Sequence, residues 1–325
     1  MTTVKGAPDG GGHNMKHIFI INPEAGKLDS SVRLRSEIEA VCPKYGIEPL
    51  ICISEYKGYE RETAEKMSVL FSNEEIRFYA VGGSGTFANV VSGIKNFALT
   101  EVACYPCGYS NDFLKCYTMD YSPFRSIENL INGRVDTVDV IESDVSAAPN
   151  FVLMGIGAKP LADNIIYNLL SLVNPNSMYV LNTITDVLTK KNYDYVIDID
   201  GKDYSGKYTM VVCFNGICMG SCFIPSDKPR INDGYMNVML IDEMSLFGRL
   251  GVFNYFKNAR LDMLGNKGRL IRAKKVTMYA ADKSPLQMNI DGEMYASASI
   301  PSTMRLMPAR MKLVVPQEVH LPSVD

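Results

Sequence analysis

Residues 76–93 read IRFYAVGGSGTFANVVSG. A run of β-branched and aromatic residues, Ile76 to Val81, stops at Gly-Gly-Ser-Gly-Thr, and helical spacing takes over from about Phe87. The stretch therefore reads as strand, glycine turn, helix. Glycines 82, 83 and 85 allow a sharp turn and let a ligand approach with no Cβ in the way. N–H groups at a helix start carry partial positive charge and favour phosphate, and Thr86 adds a hydroxyl there. This is neither the dinucleotide G-x-G-x-x-G nor a P-loop, whose Gly-Lys-Ser/Thr end is missing. The position suited to a carboxylate carries Ser84.

The same alternation extends to both sides. Strands are expected at 16–22, 47–53, 76–81 and 101–106, with helices at about 28–46, 59–71 and 87–97. Asp29 and Ser30 are candidate caps for the first helix, and Val32, Ile38 and Val41 its buried face. Ala64, Met67, Val69 and Leu70 are the expected inner face of the second. Strands alternating with helices of this length predict a parallel sheet covered on both faces. From about residue 135 the texture changes to strands joined by short Gly/Asp turns, which predicts an antiparallel, sandwich-like unit. Two apolar helices are expected at 160–172 and 177–190. Asp200-Gly201, inside an EF-hand-like DIDGKD, reads as a hairpin turn.

In a parallel sheet, ligands bind where the C-terminal ends of strands converge. INPEAGK (21–27) follows the first strand and PCGYSNDF (106–113) the fourth. Asn22, Lys27, Thr86, Asn111 and Asp112 then share one crevice with the glycine loop, although Asn111-Asp112 also suits a helix cap. Far downstream, Asp291-Gly292-Glu293 ends a strand, and alone it reads as a plain hairpin turn more often than as a site.

Composition narrows the chemistry. Of 325 residues, 46% are hydrophobic and 21% charged, the balance of a folded chain with a real core, and the net charge of −3 offers no case for nucleic acid. The three histidines, His13, His17 and His320, lie near the ends, which argues against a Ser-His-Asp triad or an HExxH zinc site. Eight cysteines with no secretion signal read as reduced, buried residues. Cys104-x-x-Cys107 has metal or redox spacing but no second pair and no nearby His, so the structural reading leads. No run is long enough to span a bilayer, residues 1–14 read as a disordered leader with Met15 as the native start, and a cytoplasmic location is expected.

Five short motifs now stand in order. They are Asn22-Pro23-x-x-Gly26, Gly82-Gly83-Ser84-Gly85-Thr86, Pro106-x-Gly108-x-x-Asn111-Asp112, the segment FIPSDKPRINDGYMNV (223–238), and Asp291-Gly292-Glu293. In this the chain resembles the lipid kinases that share the diacylglycerol kinase catalytic domain, especially their soluble bacterial branch, across nearly the whole sequence from Met15.

The resemblance implies an NAD kinase/diacylglycerol kinase-like fold. Its nucleotide-binding α/β domain would occupy 15–136, its β-rich lipid-substrate domain 137–300, and strands of 301–325 would return to the first. It implies Mg²⁺-ATP held by Asn22, Pro23, Gly26, Lys27, Gly82–Thr86, Gly108, Asn111 and Asp112. It also implies Asp291 as general base for a lipid hydroxyl, with Glu293 as its orienting partner or a metal contact. Asp233 and Asp112 are the candidate metal ligands, and Asp233 equally suits a turn before Gly234. Three positions depart from the family pattern: Ser84 for the usual Asp, Tyr109-Ser110 in the third motif, and Lys159 near a usually acidic position. Two readings follow: an active kinase with an altered metal site, or an impaired relative that binds nucleotide or lipid without turnover. Either would meet lipid at a membrane surface, peripheral to the inner face. The apolar 161–188 and the basic 266–276 are the candidate contacts, with a core-packing helix and a solvated face as their alternatives. A dimer is one expectation for the assembly.

Overall fold

The computed structural model describes residues 15–26, 29–108, 111–158, 192–219, 230–249, 251 and 265–322. The expected helices between 160 and 190, the leader, and the 223–229 part of the fourth motif lie outside them, as do Lys27, Tyr109, Ser110 and Lys159.

β1 (Lys16–Ile21), β2 (Leu50–Ile53), β3 (Ile76–Gly82) and β4 (Thr100–Pro106) form a parallel sheet in the order β2-β1-β3-β4. Every residue of β3 is buried, and apart from Arg77, which pairs with Glu101 at 2.6 Å, its run is apolar: helices cover both faces, so no alternating polar side is needed. α1 (Ser31–Val41), α2 (Tyr59–Leu70) and α3 (Ser84–Gly93) provide that cover.

Three local expectations need correction. α3 begins at Ser84 rather than near Phe87, so Ser84, Gly85 and Thr86 form its first turn and Gly83 its N-cap. In α1 the inner face is Ser31, Leu34 and Ile38, while Val32 is 77% exposed. In α2, Val69 and Leu70 face outward and the buried residues are Glu60, Thr63, Ala64 and Ser68. Close helix approach is the reason: a Cβ on Gly93 of α3 would lie 2.3 Å from the Arg61 carbonyl oxygen and 2.8 Å from Ala64 Cβ. Small side chains fit such a contact and large apolar ones do not. At the start of α1, the Asp29 carboxylate accepts the Ser31 N–H, while Ser30 makes no side-chain cap bond.

Beyond α4 (Ile127–Ile131) the chain is almost entirely β among the described residues: β5 (Arg134–Glu142), β6 (Ala147–Ala148), β7 (Phe151–Gly155), β8 (Tyr193–Ile199), β9 (Lys202–Asp203), β10 (Gly206–Phe214), β11 (Met236–Asp242), β12 (Gly268–Ala273), β13 (Lys275–Ala280), β14 (Gln287–Ile290), β15 (Glu293–Ala296) and β16 (Ser302–Val315). The pairings among β7, β8, β10, β11, β12, β13, β14 and β15 are antiparallel. β12 and β15 have little strand signature, because β12 is an edge strand rich in Arg and β15 opens on Glu293.

β16 links the two textures. Its first half pairs antiparallel with β13, and its second half pairs parallel with β4. β5 runs antiparallel along nearly all of it, with a register shift between Met307 and Met311. Ala309 in that bulge has φ +49°, and the buried Asp139 carboxylate secures it by accepting the N–H groups of Ala309 (2.8 Å) and Gly234 (2.7 Å).

Candidate active site

The C-terminal ends of β1, β3 and β4 lie side by side, so their loops meet. The N–H groups of Cys107 and Gly108 donate to the Gly82 carbonyl at 3.0 and 3.1 Å. The Asn22 N–H donates to the Val81 carbonyl at 2.9 Å, and Asn22 Nδ2 donates to Thr86 Oγ1 at 3.1 Å. The glycines are there because these loops touch. A Cβ on Gly108 would fall 2.4 Å from Gly83 Cα, and one on Gly82 2.2 Å from Thr86 Oγ1. Gly26 has φ +96°, and its Cβ would meet the Cys107 carbonyl oxygen at 2.5 Å. At Gly85 a Cβ would meet nothing within 4 Å.

The first helical bond of α3 runs from Phe87 N–H to the Gly83 carbonyl, so the N–H groups of Gly85 and Thr86 have no intrahelical carbonyl to bond. Gly85, Thr86 and Asn89 share one face of α3. With Asn22, Pro23, Ser54, Tyr56, Lys57, Glu60 and Glu293 they line a cleft of ≈ 260 Å³. Asn89 could have been found from its helical spacing after Gly85-Thr86. Ser54, Lys57 and Glu60 could not, because no local pattern ties the β2–α2 segment to the glycine loop.

The β14–β15 hairpin reaches this cleft through Glu293, while Asp291 is not among its lining residues. Asp291 (φ +50°) and Gly292 (φ +100°) form the hairpin's two-residue turn, both left-handed as a type I′ turn requires. Glu293 Oε2 reaches Lys57 Nζ at 3.0 Å, and Arg61 Nη1 donates to the Tyr295 hydroxyl at 3.2 Å. The hairpin is thus tied to the start of α2. Asp291 points inward and is 6% exposed. Its carboxylate accepts the Phe151 N–H at 2.7 Å and the Asn150 N–H at 3.2 Å. Burial pushes it up from the ordinary 3.8 to about 7; the two N–H donors oppose that rise, and the nearby Asp112 charge adds to it. Asn289, fully buried, holds the turn by accepting the Gly292 N–H at 2.9 Å while its Nδ2 donates to the Gly157 carbonyl at 3.2 Å.

In the loop after β4, the Asn111 side chain is 3% exposed, and its amide makes no hydrogen bond among the described residues. A buried amide of this kind calls for a partner. Asp112 is also buried. Its N–H donates to Ser84 Oγ at 2.9 Å, and its Oδ1 lies 3.1 Å from Lys115 Nζ. Burial alone would lower the Lys115 ammonium, but Asp112 and Cys218 outweigh it and hold it above its ordinary value.

Asp233 stands apart from this group in its contacts. Its carboxylate pairs with Arg272 at 2.6 Å and accepts the Tyr235 N–H at 3.0 Å, so a metal there would have to displace an arginine. Among the described residues no three His, Cys, Asp or Glu side chains converge as a metal site. Cys104 and Cys107 are free thiols; burial raises both, and Cys104 is fully inside β4.

The residues fit a nucleotide: a glycine cradle, a helix start and an unsatisfied buried amide converge at the strand ends. The carboxylates near them, Glu293 and Asp112, each carry a lysine, yet a hard divalent cation commonly needs only one or two carboxylates beside phosphate and water. The loop contacts set an expected result. Gly108→Ala drives a Cβ into the Gly83 backbone, costing about 1–3 kcal/mol of stability, and should abolish any ATP-induced rise in melting temperature. Gly85→Ala meets open space and should melt within about 1 kcal/mol of wild type. Thermal melts with and without ATP-Mg²⁺ compare the two.

Comparison with known proteins agrees with this architecture. Residues 16–143 match the diacylglycerol kinase catalytic domain, and residues 152–315 match the YegS C-terminal NAD kinase beta sandwich-like domain. Two Staphylococcus aureus proteins, from strains JH9 and N315, carry a lipid-kinase name and are each 26% identical over 237 residues, 73% of this chain and 76% of theirs. Two Bacillus anthracis (strain Sterne) structures that carry a diacylglycerol-kinase name share the fold. One superposes with a TM-score of 0.70 at 20% identity, covering 92% of this chain and 97% of its own. The other superposes at 0.67 and 18%, covering 92% and 96%. No described helix is long and apolar enough to cross a membrane. The chain belongs to the diacylglycerol kinase catalytic-domain family, in the form that carries the YegS-type C-terminal domain, a family of the lipid-kinase type.

Proposed function

We propose that the protein transfers the γ-phosphoryl group of ATP to the hydroxyl of a lipid of the diacylglycerol class, with Asp291 as the general base. The observation that carries this reading is the inward-turned Asp291 carboxylate, held by two N–H donors and raised to about 7, with the charge of Asp112 from the loop after β4 nearby. A base poised near the working pH accepts a proton efficiently and stays ionised often enough to do so. Phosphoryl transfer asks the protein mainly for positioning and charge neutralisation. Gly82–Thr86 and the start of α3 would hold phosphate oxygens, Asn22 would keep Thr86 oriented, and the Asn111 amide would donate to the nucleotide. A bound divalent cation would neutralise phosphate charge, with Glu293 and Asp112 the carboxylates at hand. Asp291 would take the proton of the lipid hydroxyl as its oxygen attacks phosphorus.

A second reading, a relative that binds without turnover, draws on one observation. Ser84 Oγ is engaged by the Asp112 N–H, and serine cannot supply the charge that the family's usual Asp brings to a metal. Incubation with ATP, Mg²⁺ or Mn²⁺ and mixed-lipid vesicles separates the two. Labelled lipid that disappears in Asp291→Asn supports the kinase. Nucleotide binding with no turnover under any metal, and turnover gained in Ser84→Asp, supports the second reading. In both, ATP-Mg²⁺ at about 100 times its Kd should stabilise the fold by about 2.7 kcal/mol, read as a higher melting temperature. The lipid would be met at a membrane surface. In the basic run around β12, Arg269 and Arg272 are paired with Asp242 and Asp233, which leaves Lys267, Lys274 and Lys275 as its main cationic contribution. Co-sedimentation with anionic vesicles checks that contact.

A further inference from the structure

The glycine loop and Asp291 come from distant parts of the chain, yet an unbroken series of buried and part-buried contacts joins them. Ser84 Oγ accepts the Asp112 N–H at 2.9 Å, and Asp112 Oδ1 meets Lys115 Nζ at 3.1 Å. Lys115 Nζ also donates to Cys218 Sγ at 3.1 Å, and that thiol lies 3.5 Å from Asp112 Oδ1. The Cys218 carbonyl accepts Asn150 Nδ2 at 2.7 Å, and the Asn150 N–H donates to Asp291 Oδ2 at 3.2 Å. The series is enclosed: the side chains of Lys115 and Asp112 are 14% and 5% exposed, and Cys218 is 2% exposed. Phe113, two residues before Lys115, stacks on Phe87 of α3 with ring centroids 5.5 Å apart, which fixes this turn against the glycine-loop helix.

A buried ammonium is costly unless paired, and Lys115 is paired on two sides by groups from different elements. We infer that Lys115 is a positioning residue: by clamping Asp112 to Cys218 it holds the glycine loop and Asp291 at a fixed separation. The inference rests on the reading of Asp291 as the base. Among the described residues Lys115 bonds Asp112 and Cys218, and it acts on Asp291 through Cys218 and Asn150. Its removal takes away the ammonium that bridges Asp112 Oδ1 and Cys218 Sγ, so the loop can part from the β14–β15 hairpin. A misplacement of about 1 Å between donor and acceptor can cost about 100-fold in rate.

The test uses the full chain with Lys115→Met, Lys115→Arg and Cys218→Ser. In steady-state assays with ATP and diacylglycerol-containing vesicles, Lys115→Met should lower kcat by at least about tenfold while the KM for ATP moves by less than about threefold. Lys115→Arg, which keeps the charge, should recover to within about threefold of wild type. A purely structural lysine would lower the melting temperature without this split. A double-mutant cycle in unfolding, pairing Lys115→Met with Asp291→Asn, needs no turnover. It should show non-additivity of at least about threefold in the unfolding constant, although no direct contact joins the two side chains. Additive effects overturn the inference whatever the rates do, as does an unchanged kcat in folded Lys115→Met. Coupling in a protein that phosphorylates no lipid would refute the kinase reading and support this link. If Lys115→Met does not fold, Cys218→Ser takes its place in both measurements.

Discussion

Asp291→Asn is expected to slow ATP-dependent lipid phosphorylation by about 100- to 10,000-fold, the usual contribution of a general base, while ATP still raises the melting temperature. The two halves of this expectation come from different parts of the structure. The nucleotide loops, built from the ends of β1, β3 and β4, hold one another through Gly82, Cys107, Gly108, Asn22 and Thr86, none of which depends on Asp291. Asparagine keeps the size of the side chain but cannot take a proton. It also has only one oxygen to offer where the aspartate receives N–H groups from both Phe151 and Asn150, so the turn relaxes locally. In the wild type the rate should rise as pH passes through about 7, because the base works only when ionised. A drop of less than about tenfold in Asp291→Asn, with ATP binding intact, would remove Asp291 from the chemistry.

The same carboxylate should make the fold less stable as pH rises. Asp291 holds its proton up to about 7 in the folded chain but releases it near 3.8 when unfolded. Between those values the native state binds the extra proton, so stability falls with rising pH and levels off above about 7. At 1.36 kcal/mol per pH unit, moving from 3.8 to about 7 is worth about 4 kcal/mol. Asp144 works the opposite way. Despite partial burial, hydrogen bonds from Ser302 and Ser299 hold it below its ordinary value, so its contribution is lost as pH falls. The comparison that isolates Asp291 is therefore wild type against Asp291→Asn, melted from pH 4 to pH 8. The variant should lose most of the decline with rising pH; parallel curves would mean that Asp291 is already ionised in the native state. A native protein carrying this cost fits a site that sacrifices stability for a base of the right strength.

Much of the architecture was legible because strong local rules agreed. β1 and β3 read as near-continuous apolar runs ending at Asn-Pro and Gly-Gly, and parallel strands covered on both faces look like that. Glycines 26, 82 and 108 marked loops that touch, which the chain advertises by removing Cβ atoms. Helix faces were less legible. Val69 and Leu70 look like core residues, but α2 meets α3 too closely for them, and a contact between two helices is invisible to the periodicity of either one. The start of α3 was displaced for a related reason: Gly83 and Ser84 are poor helix formers, and the first turn forms where the other loops hold it. Lys57, Lys115, Asn150 and Asn289 had no signal, because each matters only for what a distant segment brings beside it.

The chain contains the tripeptide Ile-Asp-Gly twice, at 199–201 and 290–292, and the pair shows where sequence stops. By itself the sequence determined that both would be hairpin turns, since Asp and Gly accept the left-handed conformations that a two-residue loop needs, and both do: φ is 49° and 83° in the first, 50° and 100° in the second. Both aspartates even use their carboxylates alike, each accepting two consecutive backbone N–H groups, Lys274 and Lys275 for Asp200, Asn150 and Phe151 for Asp291. Only the tertiary structure decided between them. Asp200 stays exposed to water at the tip of β8 and β9. Asp291 is buried against the start of β7, the strand that pairs with β14, and near Asp112, where removal from water penalises the charge and turns an ordinary turn residue into a candidate base.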